Sequence, residues 1–278
     1  MGIDAPATPM GTQFFLETPM SGGIGCFYRT ARDAFRRGRR ARPRNSVTFH
    51  RQSCPTVSNA PPIQPIDFIE RVQPLLERQD LPGLLALLKS RWSKEQIKGL
   101  LTGPHADARK VAALALGLVG SPCCIPPLTQ ALKCDDPVAN QMAEHALWSI
   151  WFRCGSPDAN AFVSRGAEAL GRREFAEAEQ LFTEAIGADP SFAEAYNQRA
   201  IVRYLQERYE DSIQDCQEAV RRMPTHFGAW SGMGHCHAHL GQAPDAIRCY
   251  LKALEINPHL ECVREAVGEL REQLRHQA

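Results

Sequence analysis

The run His235-Cys236-His237-Ala238-His239 sets two imidazoles four residues apart, at His235 and His239. On a helix that spacing brings both rings to one face, where they could meet a single metal ion. No third ligand stands at metal-binding spacing in the sequence. The run therefore reads as polar residues facing a groove, with Cys236 buried against a neighbouring helix and a metal or haem site as the alternative. Glu144-His145 joins an acid to a base, yet nothing else converges on the pair. Cys123-Cys124, adjacent at a helix start, reads as apolar filler rather than a reactive pair. A phosphate-binding G-x-x-x-x-G-K-[ST] loop, a G-x-S-x-G elbow and an H-E-x-x-H helix are all missing from the sequence. The expectation is a non-enzymatic chain with no catalytic residues, no cofactor and no metal.

Charge is unevenly placed. Residues 1–60 hold nine Arg, no Lys and three acids, a net of +6, so with +1 overall the remainder carries −5. Residues 1–62, rich in Pro, Gly, Ser, Thr and Arg, read as a disordered basic arm. Within it, residues 26–44 mix Arg clusters with aromatics. That composition suits a solvated tail, contact with nucleic acid or an anionic surface, or part of a targeting peptide. The ten Cys follow no paired spacing and read as reduced, packed thiols of a cytoplasmic chain. The longest apolar stretch, Val111–Gly120, is half a membrane span, so no membrane association is expected.

From Pro65 onward the sequence carries helical periodicity and no sustained alternation, which predicts an all-α fold. Helices are expected over 66–79 (kinked or divided at Pro74), 81–90, 93–102, 106–119, 123–133 and 136–153. Ser93 with Gln96 forms a capping box, and Pro137 after Asp136 suits a first helical turn. Arg109–Val119 aligns with Asn140–Ile150 at an offset of 31, matching Ala112 with Ala143 and Ala115 with Ala146. With Asp135-Asp136-Pro137-Val138 before the second helix, residues 63–156 resemble short HEAT repeats. Such units also resemble bilin-attachment lyases, whose acid and chromophore-sized cavity are not legible here.

A second period is stricter. Pro190, Pro224 and Pro258 lie 34 residues apart. Counting from Ala159, Ala193 and Phe227, position 4 is Phe162, Tyr196 and Trp230, and position 8 is Gly166, Ala200 and Gly234. Position 20 is Ala178, Ser212 and Ala246; position 24 is Phe182, Cys216 and Tyr250; position 27 is Ala in all three units. Small residues at 8 and 20 let two antiparallel helices touch, large residues fill the space beside them, and Pro ends the second helix. Residues 157–260 are thus similar to three tetratricopeptide repeats (159–192, 193–226 and 227–260), with 261–278 as a charged capping helix. The resemblance implies an α-α superhelix, a right-handed solenoid, expected to continue from the HEAT-like segment by packing the first tetratricopeptide helix on Asp136–Phe152.

The resemblance also implies a concave groove lined by the first helix of each unit. The residues expected to bind a partner's peptide segment there are Val163, Asn197, Gln198, Ile201, Tyr204, Ser231 and His235. Relatives that grip chaperone tails place basic residues and Asn where this chain has Val163, Ala167, Gln198, Gly228 and Gly232, so that carboxylate clamp is not expected. Arg199 and Arg203 lie beside the groove and are expected to pair with acids such as Glu207 or Glu194. Trp148, Trp151 and Phe152 read as the junction core between the two repeat types. The function that follows is an interaction scaffold.

Overall fold

The computed structural model describes residues 61–277, so the Arg-rich segment 26–44 lies outside the described residues. Every regular element described is helical: α1 (Pro65–Glu77), α2 (Leu81–Arg91), α3 (Lys94–Leu101), α4 (Ala106–Val119), α5 (Ile125–Ala131), α6 (Pro137–Trp151), α7 (Pro157–Gly171), α8 (Phe175–Ala188), α9 (Ala193–Leu205), α10 (Tyr209–Arg222), α11 (Phe227–His239), α12 (Ala243–Ile256) and α13 (Glu261–Gln277). Helix α1 runs on through Pro74 undivided. The helix expected over 123–133 is instead a 3-10 turn, Pro122–Cys124, leading into α5. Pro126 and Pro127 sit in the first turn of α5, where a missing N–H costs nothing. The caps form as expected. Gln96 N–H donates to Ser93 Oγ while Ser93 N–H donates to the Gln96 side chain. Asp136 Oδ1 accepts from the N–H groups of Val138 and Ala139.

The small residues of the 34-residue period act where helices cross. A Cβ on Gly166 would stand 2.6 Å from the Phe182 ring, and one on Gly234 2.5 Å from Tyr250, so position 8 of α7 and α11 lies under position 24 of α8 and α12. In the second unit the pair is Ala200 and Cys216, and Ser212 Oγ donates to the Ala200 carbonyl at 2.8 Å. Each pair packs on the next, giving an α-α superhelix closed by α13, which buries Val263 and Val267 and leaves its charges outward. Filling the notch under Phe182 forces the α7–α8 pair apart. Gly166→Leu is expected to lose about 1–3 kcal/mol by overpacking, read as a lower urea midpoint, whereas Gly171→Ala, with open space around its Cα, is expected to leave the midpoint unchanged.

The N-terminal helices form their own packed group. Helix α4 lies directly against α6, close enough that a Cβ on Gly117 would meet Ala146 Cα at 3.2 Å. Ala112, Ala115, Ala143 and Ala146 are all buried there. One expectation is overturned at the junction. Helix α6 does not carry α7 stacked along its length; it lies across the inner side of the second and third tetratricopeptide units. The link fixes this course. Asn160 Nδ2 donates to the carbonyls of Gly155 (2.8 Å) and Arg153 (3.3 Å), its Oδ1 accepts from Gly155 N–H (3.1 Å), and Ser156 N–H reaches Asp189 Oδ2 at 2.9 Å. Two indoles supply the driving force, since a buried Trp takes more apolar surface from water than any other side chain.

The thiols also depart from expectation at one position. Cys124, Cys216, Cys236 and Cys249 are buried and free, and burial pushes each thiol's pKa upward, as packed, inert cysteines require. Cys262, however, is disulfide-bonded.

Candidate functional site

The inner face of the superhelix is built by α7, α9 and α11, and α6 with its following residues covers it from the third unit back to the first. Glu144 accepts from Asn257 Nδ2 at 3.0 Å, and Asn140 meets His259 Nε2 at 2.8 Å, both in the turn that ends the third unit. Further along, Trp148 sits over Gly228, where a Cβ would come within 2.5 Å of the indole. Trp151 stacks on His226 with ring centroids 4.2 Å apart and an interplanar angle of 18°, and tilts against Phe227 at 5.1 Å. Beyond the helix, Phe152 and Cys154 pack on the cluster that contains Val163 and Ile201.

Beneath Trp151 lies a polar floor. The Glu194 carboxylate is fully buried and accepts three hydrogen bonds: His226 Nε2 at 2.8 Å, Gln198 Nε2 at 2.6 Å and Asn197 Nδ2 at 3.3 Å. His226 caps α11, its Nδ1 accepting from Ala229 N–H at 3.1 Å. That bond fixes the tautomer, leaving the proton on Nε2 to face Glu194. Trp151 Nε1 and Asn197 Oδ1, near this floor, stay unbonded though buried.

Val163, Asn197, Gln198, Ile201 and Ser231 are buried, on the inner helices but under other parts of the chain. Ile201, Ser231 and His235 share a cavity with Glu144, Trp148, Gly228 and Val263. Its volume is ≈ 30 Å³, room for no more than a few water molecules. Tyr204, half-buried, stands at the open end, with its hydroxyl 2.9 Å from His239 Nε2. His235 and His239 do not converge on an ion. His235 Nδ1 faces Tyr250 Oη at 2.7 Å while His239 stacks on Tyr209 at 4.8 Å, and among the described residues no group of three metal-ligating side chains forms. Cys236 is buried against α10, 3.2 Å from Ser212 Oγ. Arg199 and Arg203 are ion-paired, but to Asp215 at 2.7 and 2.9 Å and, for Arg203, to Glu179 at 2.9 Å, rather than to Glu207 or Glu194. These acids come from α8 and α10, which tertiary packing brings alongside α9.

Burial, with His239 beside it, pushes the His235 pKa down to about 4 from 6.5. The folded chain thus binds fewer protons at this ring than the unfolded chain. The associated stability is complete above about pH 6.5 and is lost as pH falls toward 4, by up to about 3 kcal/mol. His235→Gln is expected to lose less stability than the parent chain when urea unfolding at pH 7.5 is compared with pH 4.5.

The residues that sequence reasoning did not place at the groove are Trp148, Trp151, Glu144 and His226, the partner of Glu194. The i,i+3 spacing of the two Trp was a visible signal, read as junction packing without its seat. Among the described residues, no helix is long and apolar enough to cross a membrane.

Comparison with known proteins agrees with the repeat geometry. Models of the tetratricopeptide repeat match residues 164–227 and 228–260. A TPR repeat-containing protein of Rhizobium etli is 28% identical over 124 residues, covering 45% of this chain and 61% of its own length. DnaJ homolog subfamily C member 7 of Mus musculus is 29% identical over 100 residues, covering 36% of this chain and 20% of its own. This chain thus spans about three fifths of the first relative and one fifth of the second. Among solved structures, the first TPR of Spaghetti (RPAP3) bound to the HSP90 peptide SRMEEVD aligns with a TM-score of 0.42 at 20% identity, covering 42% of this chain and 94% of that one. The Sgt2 TPR domain from Aspergillus fumigatus aligns with a TM-score of 0.42 at 20% identity, covering 44% and 83%. The matched models, with the helical pairs in register, make residues 164–260 of this chain similar to tetratricopeptide repeats.

Proposed function

We propose that this chain is a protein-interaction scaffold, in which HEAT-like helices over 63–156 are joined to tetratricopeptide units over 157–260 and a capping helix over 261–278. The observation that carries the reading is the inner face itself. Its apolar and uncharged residues Val163, Ile201, Phe227 and Gly228 lie over a floor whose one carboxylate is already satisfied, and α6 covers them up to the end where Tyr204 stands half-buried. Surface of this kind takes a helix or extended segment through apolar anchors. An acidic tail is disfavoured, since basic side chains do not stand at Val163, Ala167, Gln198, Gly228 and Gly232. Tyr204, half-buried, stands where this face opens, and we assign the partner as a weakly charged, partly apolar segment of another protein.

A photo-crosslinking amino acid at Tyr204, inside the open end, compared with one at Leu251, exposed on α12, tests the reading in cells. An adduct with another protein from position 204 and none from 251 is expected. The same adducts from both positions, or none from 204, would overturn it.

A further inference from the structure

We infer that the inner face of the second and third tetratricopeptide units is a seat for an amphipathic helix carrying two aromatic side chains three residues apart. Helix α6 is its resident occupant, and a partner helix of the same pattern takes the seat from it. This rests on the scaffold reading and names the kind of partner. The seat is complete without α6. His226 is held in place by Glu194 and by the Ala229 N–H, all within the tetratricopeptide units, so the surface that Trp151 stacks on is preorganised. The notch for Trp148 exists because residue 228 is glycine. Trp148 and Trp151, one turn apart with ring centroids 5.0 Å from each other, fill these two places side by side. That is the recognition mode of a helix in a groove, anchored at i and i+3.

The resident is an imperfect ligand. Trp151 Nε1 is buried on docking without gaining an acceptor, and Asn197 Oδ1, buried in the same inner face, has no donor. Each buried polar group left unmatched weakens the docked state, so a partner helix that satisfies either one has an advantage over α6. The link at Arg153–Ser156 joins α6 to the units that it covers, which gives the resident a high effective concentration and sets the threshold a partner must exceed.

The test uses the full chain and, as probe, a fluorescent synthetic peptide of residues 137–152, with a control peptide in which both Trp are Ala. The Trp148→Ala/Trp151→Ala chain, with its seat vacated, is expected to bind the probe at least ten-fold more tightly than the parent chain and to ignore the control. Adding Gly228→Leu to it is expected to abolish the gain. A vacated chain with parental helical circular dichroism that binds the probe no better than the parent, or binds both peptides alike, would overturn the inference. A second measurement does not depend on that variant's folding. A protease site introduced at Cys154-Gly155 is cut in reductant, and excess probe is expected to release the N-terminal piece on gel filtration; a piece still retained at saturating probe overturns the inference equally. Failure of both with the Tyr204 adduct intact removes this inference alone, whereas probe binding without any Tyr204 adduct removes the scaffold reading.

Discussion

Trp151→Ala is expected to lower the stability of the whole chain by about 3–5 kcal/mol, the fall being read from urea unfolding followed by circular dichroism. Trp151 is fully buried, and three rings meet it: His226, Phe227 and Trp148. Truncation leaves a cavity lined from both halves of the chain, and neither half can collapse into it without moving a helix that the other half fixes. One apolar core contains Leu116, Leu147, Trp148 and Trp151 together with Phe227 and Ala253. The parent chain is therefore expected to unfold in one transition, and Trp151→Ala to shift the fluorescence of Trp230, in the third tetratricopeptide unit, along with the N-terminal helices. Two separate transitions, with the tetratricopeptide signal unmoved by the substitution, would show that α6 is not part of a shared core.

Glu194→Ala comes next in size, at about 3–5 kcal/mol. Removing this carboxylate strands the Nε2–H of His226 and the amide donors of Gln198 and Asn197 where water does not reach. The cost of a buried donor without an acceptor exceeds the modest net gain of making the bond. Glu194→Gln keeps one acceptor oxygen in place and is expected to lose about half as much. The ring of His226 is the floor under Trp151, so Glu194→Ala is also expected to loosen α6. Hydrogen exchange at Leu147–Trp151 measures this directly. Exchange that speeds up across α9–α11 and leaves α6 unchanged would separate the polar floor from helix docking.

The 34-residue period was legible without coordinates because it is local physics repeated. A glycine at 166 or 234 and an aromatic at 182 or 250 belong to one helical pair, so their spacing survives in the sequence whatever lies around them. The caps at Ser93 and Asp136 were equally legible, since a capping residue and the N–H groups it accepts from are two or three residues apart. The inner helices also placed Ile201, Ser231 and His235 on a common face, where the structure finds them lining one cavity.

What covers that face was not legible. Trp148 and Gly228 are 80 residues apart, Asn140 and His259 119 apart, and no period links them. The acids that pair with Arg199 and Arg203 escaped for the same reason, as α8 and α10 reach them only once the superhelix forms. A repeat records its contacts with itself, because each unit must carry both sides of the interface it stacks through. The docking of α6 joins two unlike surfaces, and only the folded chain brings them together. The sequence thus determined a stack of helical pairs with an inner face of apolar and amide side chains, and the tertiary structure alone decided that this face is already filled.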